Sequence, residues 1–415
     1  MKPQIDSLYI CPWSLSDPLC KSQCLAYVDG LAEAGYKFAL ITFESDLGHP
    51  ISEPLLRLRD DLRAKGILWY PVFWRSGISV LAKLKGIGSV INEGIRIMLR
   101  YRPRLIHTRS SLPAFAALAI TRLFRAKYLY DADSLLSDEY ADVGHLMRDS
   151  HAFRALSLGE KKARKRADEI IVLTNRMKNV YQNEYCTTVK TSVIPCCVDT
   201  SLFTFDPEAR KELRRANGIS DDETVLIYLG KAGSWYLIDQ TFALFRTFAR
   251  GVPNSRLLIV SQDDHDLFHE VASQERVNRN SYLVQSPSRN DVSRWLAAAD
   301  VGLSLISQLA SKVGTSPVKF AEYLAVGLPV VSTDLIGDCT EILLEENVGV
   351  VVPRAEPSEY GRVIETLLAL LSEPREHLRE RCATAAGKYF SLQDVGIPRY
   401  KEIYDRLLKR SDKTF

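Results

Sequence analysis

A lysine and a glutamate three residues apart, Lys319 and Glu322, stand just after Ser316 and Pro317 in the segment GTSPVKFAEYLAVGLPVVSTDLIG, residues 314–337. Ser316 is a good helix N-cap and Pro317 suits a first helical turn. A helix is therefore expected through Ala325, stopped by Gly327 ahead of a buried strand. Residues three apart share a helix face. Free amides and the positive dipole end at a helix N-terminus favour phosphate. On that geometry the lysine holds a diphosphate and the glutamate accepts hydrogen bonds from a ribose diol. An ordinary capped helix with a surface ion pair has the same spacing.

Other clusters invite a metal. Asp131-Ala-Asp133 follows a strand-like run, and carboxylates so spaced can hold a divalent cation against a diphosphate. Carboxylate pairs at strand ends are also common, and Asp263-Asp264-His265-Asp266 reads as a solvated turn. The eight cysteines, at positions 11, 20, 24, 186, 196, 197, 339 and 382, form no CxxC pair and read as reduced, mostly buried thiols.

Short apolar runs separated by helical patterns must position these groups. SLYIC, KFALITF, GILWYPVF, RLIHTR, KYLYD, EIIVLT and SVIPC read as buried parallel strands in the first half, and VLIYLG, RLLIVS, SYLV, VGLSLI, LPVVST and GVVV in the second. The polar stretch FTFDPEARKELRRANGISDDE separates the two series, placing a boundary near residues 199–222. The expected fold is α/β, with two doubly wound domains over residues 1–200 and 201–395 and a last helix, about 396–415, packing back on the first. Open α/β sheets bind ligands at the carboxyl ends of their strands, so the function should sit in a cleft between the two domains.

At 415 residues, 46% hydrophobic and 25% charged, the composition excludes disordered, fibrous and miniprotein classes. No apolar run approaches the length of a membrane span, and the N-terminus does not read as a signal peptide, so a cytoplasmic chain is expected. Charge is uneven: residues 1–200 carry 28 Lys and Arg against 21 Asp and Glu, and the remainder 26 against 30. Between Arg75 and Tyr130 eleven basic residues face one acid, Glu93, a candidate contact for an anionic membrane or equally a solvated helix face. Nucleic acid fits less well, because the basic residues lack interleaved aromatics.

The segment SPVKFAEYLAVGLPVVSTDLIG closely resembles the signature of retaining GT-B glycosyltransferases, the glycogen-synthase-like superfamily that includes bacterial polysaccharide and lipopolysaccharide transferases (glycosyltransferase family 4, or group 1). CPWSLSDPLCKSQCLAYVDGLAEAGYKFALITFE, ADEIIVLTNRMK, VIPCCVDTSLF, VLIYLGKAGSWY and LAAADVGLSLI are similar to that family's other segments, in order, over nearly the whole chain. The resemblance implies two Rossmann-like domains, an N-terminal one for the acceptor and a C-terminal one for a nucleotide sugar. It also implies metal-independent transfer with retained anomeric configuration, needing no cofactor.

Carried over, Glu322 matches the second glutamate of the family's E-x7-E motif, which holds the ribose; the first falls at Gly314, leaving Thr315 and Ser316, with neighbouring backbone amides, to meet the donor, and Pro317 and Val318 beside them in the donor site. Gly230 and Lys231 match the first basic site after the opening strand of the donor domain. The second falls near Ile238, so Lys319 becomes the partner of Lys231 in neutralising the leaving diphosphate. His107 matches a strand-end histidine, Arg109 stands where a second often occurs, and Asp131 lies about where the family has its acceptor-side catalytic histidine. Ser16 lies in the loop Ser14–Ser22 that replaces the usual glycine-rich turn.

The resulting expectation is a transferase that moves a sugar from a nucleotide sugar to a glycan or lipid-linked acceptor in surface-polysaccharide assembly, in the cytoplasm or on the inner face of the membrane. Two alternatives share the fold: a non-catalytic nucleotide-sugar-binding subunit, and a nucleotide-sugar hydrolase or epimerase.

Overall fold

The computed structural model describes residues 3–45, 53–74 and 80–409. The chain divides into two compact units, one formed by residues up to Pro195 together with those from Gly396, the other by Cys196–Val395.

The first unit is built on a seven-stranded sheet of β1 (Ser7–Cys11), β2 (Phe38–Ser45), β3 (Ile67–Trp74), β4 (Leu105–Arg109), β5 (Lys127–Ala132), β6 (Glu169–Val172) and β7 (Thr191–Val193). The order is β3-β2-β1-β4-β5-β6-β7 and every pairing is parallel. Pro71, which has no amide hydrogen to give a ladder, sits in the edge strand β3. The second unit repeats the plan with β8 (Thr224–Leu229), β9 (Ser255–Val260), β10 (Tyr282–Gln285), β11 (Val301–Ser304), β12 (Val330–Thr333) and β13 (Gly349–Val352), in the order β10-β9-β8-β11-β12-β13. Each apolar run expected to be a strand is one. The inner strands are buried on both faces, so they read as continuous apolar segments.

The order reverses direction between β1 and β4 in the first sheet and between β8 and β11 in the second. Helices leave to opposite faces at such a switch point and open a crevice beyond the carboxyl ends of the strands.

Two features depart from the expected boundaries. Cys196–Phe203 belongs with the second unit, because Val198 donates to Phe390 O (2.8 Å) and Leu392 donates back to Val198 O (2.9 Å). The polar stretch after it contains a helix, Pro207–Ala216, whose N-cap Asp206 accepts from the amides of Glu208 and Ala209. Its charged residues conceal a purpose: Arg210 and Arg214 turn inward to Asp300.

The closing helix, Ile397–Leu408, packs on the first unit. Ile397 approaches so closely that a Cβ at Gly30 would lie 2.3 Å from its Cδ1, so a larger residue there would force the Ile397 side chain to shift. Tyr400 meets Tyr27 with ring centroids 4.8 Å apart, and Tyr404 meets Tyr36 at 5.2 Å.

Candidate active site

The switch point of the second sheet is held by a tyrosine. The amide of Leu229, the last residue of β8, donates to Tyr323 Oη at 2.7 Å, and that hydroxyl donates to Leu303 O of β11 at 3.2 Å. The ring lies over Gly302, where any Cβ would fall 2.5 Å from it. Tyr323 thereby anchors the helix Val318–Ala325 across the crevice.

That helix carries Lys319 and Glu322, both buried. Its N-cap is Pro317, one residue later than expected, because the Ser316 hydroxyl is engaged elsewhere and accepts from the amide of Cys196 at 3.1 Å. Thr315, Ser316, Pro317 and Val318 thus form the approach to the helix N-terminus, following a tight turn at Ala310–Gly314.

Beyond β8 the chain turns at Gly230 with φ 132°, a conformation that favours glycine. The space a side chain would take is filled by Lys319: a Cβ at Gly230 would lie 2.8 Å from Nζ. The ammonium also faces the rings of Tyr228 (4.4 Å) and Tyr236 (4.0 Å), cation–π contacts that offset part of the lost hydration. It is 7% exposed and makes no hydrogen bond among the described residues. Burial pulls its pKa down to about 7, against the opposing attraction of Glu322. Lys231 follows Gly230 in sequence and is exposed, with its carbonyl accepting from Tyr228 Oη at 2.5 Å.

Glu322 is 2% exposed and ion-paired with Arg289, whose guanidinium also lies over Phe203 at 5.3 Å. Sequence reasoning missed Arg289, which comes from a short turn after β10; its signal was a lone arginine at the carboxyl end of a strand. Lys312 was missed too: it is 1% exposed, with Nζ 3.7 Å from the ring centroid of Trp235. In the Asp263–Asp266 turn, Asp263 accepts from Ala232 N (2.6 Å) and Asp264 caps the next helix.

The first unit gathers His107, Arg109 and Asp131 at the carboxyl ends of β4 and β5. Arg109 Nη1 donates to Asp131 Oδ2 at 2.7 Å, Tyr400 Oη donates to the same oxygen at 2.5 Å, and His107 Nδ1 shares a hydrogen with Tyr404 Oη at 2.8 Å. Burial, then the Arg109 charge, drives the His107 pKa well down, so its imidazole is neutral. Burial raises the pKa of Asp131 against the pull of Arg109, and that of Asp133 to about 7.

His107 and Asp131 are both 0% exposed beneath the closing helix. Two tyrosines from Ile397–Leu408 cover them, and the Asp131 carboxylate is shared by a guanidinium and a phenol. Arg109 is buried with them. Ser16 alone of the acceptor-side candidates is exposed, on a loop pinned by Glu44, whose carboxylate accepts from Ser14 Oγ and from Leu15 N (3.1 Å).

Comparison with known proteins places this geometry. The family described as Glycosyltransferase Family 4 matches residues 22–202, and the family described as Glycosyl transferases group 1 matches residues 209–388. A curated relative, the lipopolysaccharide glucosyltransferase WaaG of Escherichia coli K12, is 24% identical over 290 residues, covering 68% of this chain and 74% of that protein. Among solved structures, sucrose-phosphate synthase from Thermosynechococcus elongatus has a TM-score of 0.76 at 17% identity, covering 98% of this chain and 100% of that one. HepE from Anabaena, in complex with UDP and glucose, has a TM-score of 0.69 at 15% identity, covering 96% and 99%. At these identities the solved structures speak for the fold.

Proposed function

Because the chain belongs to the group 1, family 4 GT-B glycosyltransferases, we propose that it transfers a sugar, with retention and without a metal ion, from a nucleoside-diphosphate donor to a glycan or lipid-linked acceptor of lipopolysaccharide-type surface polysaccharide. The observation that carries the proposal is Lys319, a buried amine with no hydrogen-bond partner among the described residues, at the switch point of the second sheet. WaaG, a lipopolysaccharide glucosyltransferase, supports the acceptor class, and the UDP and glucose held by HepE support the donor class.

In this reading the diphosphate lies against the turn at Gly230 and the N-terminus of Val318–Ala325. Lys319 leaves its two tyrosines to meet the phosphate oxygens, and exposed Lys231 closes over them from outside. Negative charge grows on the diphosphate as the glycosidic bond breaks, and two ammonium groups with a helix N-terminus supply fixed positive charge there. Departure and acceptor attack on the same face retain configuration, and the departing phosphate oxygen takes the acceptor proton. Glu322, with Oε1 on Arg289, offers Oε2 to the ribose diol.

The acceptor side rests on the basic first unit. No helix of the described residues is long and apolar enough to cross a membrane. Arg75 and the side chain of Lys83 lie outside the described residues, but Lys85, Arg96, Leu99 and Arg100 form one exposed face of the helix Val80–Tyr101. This face docks on anionic lipid at the inner surface of a membrane, at about 1 kcal/mol per cation. Reversal of Lys85, Arg96 and Arg100 to glutamate should abolish sedimentation with phosphatidylglycerol vesicles, whereas unchanged sedimentation counts against the docking face.

The function is tested by incubating purified protein with UDP-hexoses and EDTA and following donor consumption by mass spectrometry. Consumption that Lys319→Ala abolishes supports the reading; consumption restored by manganese alone contradicts it.

A further inference from the structure

At the amino edge of the second sheet, opposite the edge that carries Lys319, three arginines converge on one carboxylate and a fourth lies beside them. Arg210 Nη2 donates to Asp300 Oδ1 at 2.7 Å, and its Nη1 donates to the carbonyls of Ala299 (2.8 Å) and Ala297 (3.1 Å). Arg214, 1% exposed, reaches Asp300 Oδ2 at 3.5 Å and the carbonyls of Ala298 (3.0 Å) and Ser220 (2.6 Å). Arg375 Nη1 lies 3.6 Å from Oδ1, and the amide of Val225 donates to Oδ2 at 2.8 Å. Both oxygens of Asp300 are thus taken.

Arg379 is left over. It makes no hydrogen bond or ion pair among the described residues. Its guanidinium stacks 3.5 Å from the ring centroid of Phe205, and its stem crosses Gly327, where a Cβ would lie 2.1 Å from Cγ. Glu373, which also lines the cavity described below, is paired with Arg381 at 2.8 Å, and Asp300, followed by Glu376, is the acid that acts on Arg379. Burial and the charges of Arg210 and Arg375 depress the pKa of both Arg214 and Arg379, the mark of cations crowded without enough counter-charge.

Beside these groups is a cavity of about 220 Å³ lined by Asp300, Arg375 and Arg379, with Leu328, Leu371 and Leu378 as an apolar floor. A water needs only about 10–15 Å³ by this measure, so the space admits a tetrahedral oxyanion with a small organic body. We propose that this cavity binds a phosphate-class anion, a compact phosphomonoester or inorganic phosphate, at a site separate from the donor diphosphate. Arg375 and Arg379 hold the phosphate oxygens, with Arg210 and Arg214 fixing Asp300 so that it does not compete for them. A planar guanidinium presents paired donors that match phosphate geometry.

The test is calorimetric titration of the full chain with inorganic phosphate at constant ionic strength in chloride, in a Lys319→Gln background that removes the donor-site ammonium. Saturable binding should persist in Lys319→Gln and weaken at least about tenfold when Arg375→Gln and Arg379→Gln are added. Arg375 is exposed on its own, so the single change Arg375→Gln leaves folding intact and should weaken binding by a smaller factor. A hexose 6-phosphate titrated in parallel separates the sources: tighter binding than inorganic phosphate assigns the apolar floor to an organic body, and equal binding assigns the site to phosphate itself. Phosphate that binds Lys319→Gln no better than chloride does, or that is indifferent to both arginine changes, overturns the site.

Discussion

The ammonium of Lys319 occupies the place of the side chain that Gly230 lacks, 2.8 Å from where a Cβ there would stand. One residue comes from the turn after β8 and the other from a helix 89 positions further on, and each defines the space of the other. The glycine is needed twice, for its φ of 132° and for the volume it leaves to the lysine.

Gly230→Ala should therefore strike the donor site more than the fold. The methyl group strains a left-handed turn, at about 1–2 kcal/mol, and expels Nζ from its pocket. We expect kcat/KM to fall by about 10²-fold, the scale of losing one fixed electrostatic contact, with a lowering of Tm of only a few degrees. Steady-state kinetics and a thermal melt on the same sample separate the two effects.

Lys319 also predicts a proton uptake. With its pKa lowered to about 7, the amine of the empty protein is largely neutral at pH 8. A bound diphosphate favours the ammonium and raises that pKa, so the complex holds more protons than the free protein above pH 7 and donor affinity falls as pH rises. Calorimetric binding enthalpies of UDP at about pH 8 should vary with buffer ionisation enthalpy by close to one proton; identical enthalpies in Tris and HEPES would contradict this. In stability the same shift has the opposite sense. The unfolded lysine stays protonated up to its ordinary pKa, so this residue destabilises the fold fully below pH 7, and stability recovers from pH 7 towards 10. Lys319→Met should remove that slope.

Arg289→Ala leaves the carboxylate of Glu322 buried without its counter-ion. A loss of about 3 kcal/mol in stability is expected, since unpairing a buried charge costs far more than a surface bridge contributes. The donor KM should rise by about tenfold while acceptor KM stays constant. Urea unfolding and donor-dependent kinetics test both.

Asp131→Asn and Tyr400→Phe probe the network under the closing helix. The first leaves Arg109 with the longer pairing to Asp133 (3.9 Å) and should cost about 3 kcal/mol; the second removes one buried hydrogen bond, at about 1–2 kcal/mol. If both side chains only position the closing helix, the surviving folded Tyr400→Phe protein keeps its donor KM. A large change in kcat at wild-type stability assigns Asp131 to the chemistry.

The strands and the Lys319–Glu322 helix are legible in the sequence because parallel sheets make uninterrupted apolar runs and the helix follows a Ser-Pro start. The exact cap was not, since the Ser316 hydroxyl is taken by the distant amide of Cys196. Arg289 escaped notice because its partner is 33 positions away and the turn that carries it has no periodicity. The burial of His107 and Asp131 was hidden for a similar reason: Tyr400 and Tyr404, nearly 300 residues on, look like part of an amphipathic helix and reveal nothing of what they cover. Local pattern shows which residues belong to an element, and long-range packing decides which of them stay open to a ligand.

The most direct test of the account is UDP binding in EDTA, measured by calorimetry on the wild-type protein and on Lys319→Ala. The account predicts metal-free binding that weakens by about 10²-fold or more without the ammonium. Binding that requires manganese, or that is unchanged in Lys319→Ala, would contradict it.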